Sequence, residues 1–166
     1  MTLLLAAVGA VVTALIELTV APYLRVGTAQ PHPVLVLAVI VAIALGLEAG
    51  IVWAFVGGLA LDVLAQRPLG ATAFTLLICV GGALLLARSF AHVRPIVPIG
   101  AVFFLSIGYS MILFVTFRAL GVQVPTSDPL TIVVPGAVYD AVIGVIVGPL
   151  TVAIHDRRVE QDRVDW

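Results

Sequence analysis

The sequence predicts an all-α protein, a polytopic membrane bundle of about six transmembrane helices with no substantial soluble domain. Composition is the first observation behind this. Hydrophobic residues make up 62% of the 166 residues and charged residues 10%, where a soluble domain carries roughly a quarter charged residues. The second is length: several apolar runs reach the roughly 17 to 25 residues that cross a hydrocarbon core at about 1.5 Å per residue. The third is continuity, since a mean hydropathy of +1.24 leaves no polar stretch large enough to fold in water by itself.

The apolar runs fall at about Leu3–Ala21, Val34–Leu47, Gly50–Leu64, Thr72–Ala87, Ile96–Leu120 and Leu130–Ile154. Between them stand helix breakers and charges: Pro22, Arg25 to Pro33, Glu48, Gln66-Arg67-Pro68-Leu69-Gly70, Arg88 to Pro95, and Gly121 to Pro129. The second and third runs are short for a full span. Glu48 divides them, so they read as a tight helical hairpin, tilted or shielded by protein. The first run lacks the basic start of a signal peptide and is followed by further spans, so it reads as a retained span. Residues 1–155 form the bundle on this reading, and residues 156–166 a short charged tail.

Every basic residue is an arginine, and arginines near span ends are kept on the cytoplasmic side. Arg88, Arg94, Arg157, Arg158 and Arg163 oppose Arg25, Arg67 and Arg118, which favours both termini inside. A net charge of -1 without a basic stripe gives no nucleic-acid surface. The lone Cys79 excludes an intramolecular disulfide or a cysteine metal site.

Glu17, Asp62 and Asp140 lie within or at the ends of apolar runs. Ionised groups in lipid are costly and face a bundle interior, a partner or a cavity. On the orientation above all three fall in the outer leaflet, beside Arg25, Arg67 and Arg118. A belt of ion pairs is one expectation; a simple reach to the interface is the other for Glu17 and Asp62. Asp140, about ten residues into its run, is expected to have a specific buried partner.

Small residues recur at i+4: Gly136, Asp140, Gly144 and Gly148 in the sixth run, and Gly46, Gly50, Ala54 and Gly58 across the second and third. Such stripes let helix backbones approach closely in lipid, inside the bundle or against a partner helix. Gly58-Leu-Ala-Leu-Asp62 and Gly136-Ala-Val-Tyr-Asp140 share the pattern G-x-x-x-D, which in a three-plus-three arrangement would be an inverted repeat.

The segment from Gly50 through Gly57, Gly58, Leu59 and Asp62, running into Pro68, Leu69 and Gly70, resembles the rod shape-determining protein MreD family. There a glycine-rich helix ending in an acid leads to a turn that closes on a Leu-Gly pair. Phe55 and Val56 meet the family's aromatic position only with an offset. Chain size and Pro33 opening the second run agree with the resemblance. It implies a membrane scaffold of the bacterial cell-elongation machinery in the inner membrane. MreC's membrane anchor would be its partner, MreB filaments and peptidoglycan synthases its indirect partners, and cell shape its output.

Enzyme chemistry finds little support in the sequence. His32, His92 and His155 are scattered, no metal motif occurs, and no cofactor is indicated. Ser106 and Ser110 lack a histidine or lysine at matching depth to activate them, and bonding back to helix carbonyls is their expected role. The rival class is the substrate-binding membrane subunit of an energy-coupling-factor (ECF) vitamin transporter, whose small six-helix architecture the chain resembles. Its pocket would be built from the outer acids and the loops after spans one, three and five, with Gly121–Pro129 as a lid.

Overall fold

A computed structural model of the chain describes residues 2–25, 29–89, 97–122 and 130–164. Six α-helices follow one another: α1 (Thr2–Thr19), α2 (Pro33–Leu45), α3 (Leu47–Leu64), α4 (Ala71–Ser89), α5 (Val97–Ala119) and α6 (Leu130–Val164). A 3-10 turn over Ala21–Leu24, with Pro22 in its first turn, ends α1. Of the six, α1, α3, α4 and α5 are long and apolar enough to cross a membrane. The expected second span is a helix of only 13 residues, which at about 1.5 Å per residue covers about 20 Å.

The break between α2 and α3 falls at Gly46, not at Glu48. Gly46 has φ +93° and ψ 179°, a conformation closed to residues bearing a Cβ. Glu48 instead sits in the first turn of α3, where the helix dipole favours a negative charge. The helix α6 continues through the segment expected as a tail and ends at Val164.

Helix α2 organises the rest. It is apolar on every side, and Val34, Leu35, Val36, Ala38, Val39, Ile40, Val41 and Ala42 are all buried. An all-round apolar helix belongs in an interior, and α2 packs against each of the other five helices. Those five form an arc in the order α1, α3, α4, α5, α6, each in contact with the next. The outer faces of the arc are apolar: Leu4, Val8 and Leu15 on α1, Phe104 and Val115 on α5, and Val138, Val142 and Ile146 on α6 are exposed.

Glycine decides how closely this arc closes. A Cβ on Gly50 would stand 2.6 Å from the Cβ of Ala42 and 2.9 Å from its Cα. One on Gly57 would meet Val34 Cγ1 at 3.0 Å and the Ala10 Cβ at 3.4 Å. At Gly58 it would collide with the Ala73 backbone. Gly136 is buried with more room, its nearest neighbours being Gln30 O at 3.8 Å and His32 Cε1 at 3.9 Å, while Gly144 lies in ordinary contact with Val102. These five glycines therefore face other parts of the same chain. The surroundings of Gly148 lie outside the described residues. Trp53 is wedged against Gly9, whose added Cβ would lie 2.7 Å from the indole ring, and its Nε1–H donates to Val34 O at 3.2 Å.

Gly58→Leu is expected to force α3 from α4 and to cost at least the roughly 1 to 3 kcal/mol of an overpacked core. Gly81→Ala, at a helical glycine with open space around it, is expected to be neutral or to gain about 0.5 to 1 kcal/mol. Unfolding of the two variants in the same detergent, read by fluorescence, checks the contrast.

Candidate functional site

The polar groups of the bundle gather at two helix N-termini. The first is that of α2. A helix begins with backbone N–H groups that its own turns cannot satisfy, and in α2 the first of these, on Val34, is fully enclosed by protein. Pro33 at the first helical position has no N–H to satisfy. His32, at the cap position, makes no side-chain capping bond to the helix. The acceptors come from distant helices. Glu17 Oε2 on α1 accepts the Val34 N–H at 2.9 Å, and Asp140 Oδ1 on α6 accepts the His32 N–H at 2.7 Å. Both carboxylates are buried. They sit at the positive end of the α2 dipole, where anions are favoured.

Asp140 is the more heavily engaged. Its Oδ2 lies 3.0 Å from His32 Nδ1 and accepts the Ser106 hydroxyl of α5 at 2.5 Å. Tyr109, buried on α5, meets the His32 ring edge-on at a centroid distance of 5.5 Å. One carboxylate thus ties the chain before α2, α5 and α6 together. The His32 side chain keeps 26% of its surface open although its ring is packed among these helices. Burial pushes the imidazole down, but the hydrogen bond and charge of Asp140, joined by the charge of Glu17, outweigh it and hold His32 above its ordinary range.

The second site is the start of α4. Asp62, fully buried at the end of α3, accepts the Gly70 N–H at 2.9 Å and the Thr72 N–H at 3.1 Å. The turn that brings it there is a Schellman closure: Arg67 N–H bonds Asp62 O at 2.8 Å and Gln66 N–H bonds Val63 O at 3.3 Å. Gln66 takes φ +53° at the position where glycine is usual, and Gly70 takes φ +89° to enter α4. Leu69 stands 74% exposed at the tip of this turn, with Pro68 O accepting the Ala71 N–H at 3.2 Å. Thr72 Oγ1 is buried without a partner among the described residues.

The expected belt of arginine ion pairs does not form among the described residues, where the ion pair of the cluster is His32 with Asp140. Arg25 instead donates from Nε and Nη2 to Gln30 Oε1 at 3.0 and 2.7 Å. Arg67 adds its charge to the field at Glu17 and His32 without bonding to either. Backbone N–H groups at helix starts are the better partners for these acids, because they are already there and have nowhere else to bond. Ser106 likewise departs from the expected bond to its own helix, since Asp140 is within reach.

The sequence placed His32 in a loop and away from the serines; the structure brings it to Asp140 beside Ser106. The order of contacts is not that of a nucleophile and base, since the Ser106 hydroxyl points to the carboxylate and not to the imidazole. Nor do the three acids meet at one point: Glu17 and Asp140 stand at the start of α2 and Asp62 at the start of α4, each bonded to backbone N–H groups. His92, Arg94 and most of Gly121–Pro129 lie outside the described residues, as do the surroundings of His155.

A helical bundle with membrane-length apolar helices, its buried acids bonded to helix N-termini, defines an all-α membrane protein. Residues 1–134 match the family model of the rod shape-determining protein MreD. The chain belongs to that family, and with it to the bacterial membrane and to the machinery that gives rod-shaped cells their form. No curated protein and no solved structure matches the chain.

Asp62→Asn leaves one carbonyl oxygen for two N–H donors and is expected to cost about 1 to 3 kcal/mol, the penalty of a buried unsatisfied group. Thr72→Val, which removes the unpartnered hydroxyl, is expected to hold or raise stability by about 1 kcal/mol. Denaturation of both variants in mixed micelles tests this; a loss for Thr72→Val would mean that Oγ1 has a partner.

Proposed function

We propose that the protein is a non-catalytic scaffold of the elongation machinery, binding the membrane anchor of MreC and so helping to control cell shape and peptidoglycan synthesis. The family match over residues 1–134 carries this reading. MreB filaments and the synthases are linked through MreC, and residues 1–155 act as one bundle in the inner membrane, with both termini cytoplasmic. Gly50, Gly57, Gly58, Gly136 and Gly144 are occupied within the chain, so the anchor is placed on an outer ridge. Two ridges offer continuous apolar side chains: Leu4, Val8 and Leu15 on α1, and Val134, Val138 and Val142 on α6. Van der Waals fit is the main force available to helices meeting in lipid.

The test is co-purification with MreC from the same genome in nanodiscs, with stoichiometry read by chromatography. A stable complex is expected. Cysteines placed singly at Val8 and Val138 in a Cys79→Ser background should then show which ridge cross-links to the anchor. No association with MreC, together with capture of a transporter's energising subunits, would replace the scaffold by the solute-binding alternative. Cross-linking from neither ridge, in a complex that still forms, would move the interface to another face.

A further inference from the structure

We propose that His32 and Asp140 form a proton-operated latch that fastens the connection between α1 and α2 to α5 and α6. Asp140 grips His32 twice, by its backbone N–H at 2.7 Å and by its ring Nδ1 at 3.0 Å. The ring nitrogen turned to a carboxylate carries the hydrogen, which leaves Nε2 as the atom that takes or loses a proton. Part of the His32 side chain is open, 26% by surface, whereas Asp140 is fully enclosed. The remainder of the pair is fixed: Asp140 is fully buried and is held by Ser106 from α5.

The groups facing His32 set the sign of the switch. Among the described residues, α6 presents Asp140, α1 presents Glu17, the turn after α3 brings the charge of Arg67, and α5 presents Tyr109. Arg25, on the same connection, is engaged with Gln30. With Nε2 protonated, an imidazolium stands between two carboxylates and completes their charge balance. Without that proton the ring still donates from Nδ1, so Asp140 keeps its hydrogen bonds. It loses its counter-charge, however, and Glu17 and Asp140 are left to the α2 dipole and to Arg67. The latch loosens, and the segment before α2 is the part released, because α5 and α6 remain packed on one another.

The sign follows from linkage. His32 is held above its ordinary value of about 6.5, so the stabilisation is complete below that value and is lost as pH rises through the folded titration point. One proton is linked, so the folding equilibrium constant falls by at most about tenfold per pH unit in that window.

The experiment uses the full chain in nanodiscs with His92→Gln and His155→Gln, which leaves His32 as the sole imidazole. Its titration is followed by NMR of labelled histidine, and stability is followed by thermal unfolding across the same pH range. His32 is expected to titrate above about 6.5, with stability falling through the same midpoint. Asp140→Asn should lower that midpoint, and His32→Gln should flatten the stability profile. A His32 titration at or below its ordinary value overturns the proposal, even if His32→Gln fails to insert. So does a His32→Gln profile with the same slope as the parent.

Discussion

The architecture depends on satisfying the N-terminus of a helix that begins inside the bundle. A backbone N–H left without an acceptor in a dry interior costs several kcal/mol. The helix α2 is 13 residues long, and Val34 in its first turn is fully enclosed, so that N–H cannot be served by water. Its own sequence cannot serve it either, with a proline at the first position and no capping bond from His32. Glu17 and Asp140 supply the acceptors from α1 and α6. Each must therefore be brought to one point, which fixes where both helices lie around α2. The burial of two carboxylates, unfavourable by itself, becomes affordable because the donors they meet were already obligatory.

The start of α4 repeats this solution with a shorter reach. Asp62 serves a helix that begins only a turn later in the chain, and the Schellman closure at Gln66 folds the chain back far enough for the carboxylate to meet Gly70 and Thr72. The end of α5 closes in the same way, with Val122 N–H on Phe117 O, Gly121 N–H on Arg118 O and Gly121 at φ +74°. There glycine fills the left-handed position that Gln66 fills after α3. An L residue in that conformation is strained by about 1 to 2 kcal/mol, and the bonds of Asp62 offset it. The G-x-x-x-D pairs thus share chemistry without needing a repeat: each glycine lies against another part of the chain, and each aspartate caps a helix that is not its own.

The helices themselves were legible in the sequence because apolar runs and Pro/Gly breaks act locally. The family was legible from the stretch between Gly50 and Gly70. The depth of α2 was legible only in part: the shortness of the run from Val34 to Leu47 reads equally as tilt in lipid or as shielding by protein. Its freedom from polar residues on every side was the available signal. The acids were visible as outliers, but their partners were not: charge suggested arginine, whereas the donors are main-chain N–H groups, which every sequence has and none displays. The role of His32 is hidden for the same reason. Its neighbours Pro31 and Pro33 read as loop, while the contact that gives it meaning lies 108 residues away.

This use of polar groups limits how the protein can recognise anything within the membrane. Glu17, Asp62 and Asp140 are turned inward, and Gly50, Gly57 and Gly58 are filled by Ala42, Val34, Ala10 and Ala73. What the outer surface offers a neighbouring helix is shape. The two outer ridges differ in that respect, because leucine at Leu4 and Leu15 keeps several rotamers, whereas Val134, Val138 and Val142 are branched at Cβ and nearly fixed in a helix. A partner packed on α6 would therefore lose less side-chain freedom on binding than one packed on α1. The ridge of α6 also belongs to the helix that carries Asp140, which is bonded to the start of α2. Glu17 makes the corresponding bond from α1, but Asp140 alone of the two is also paired with the His32 ring.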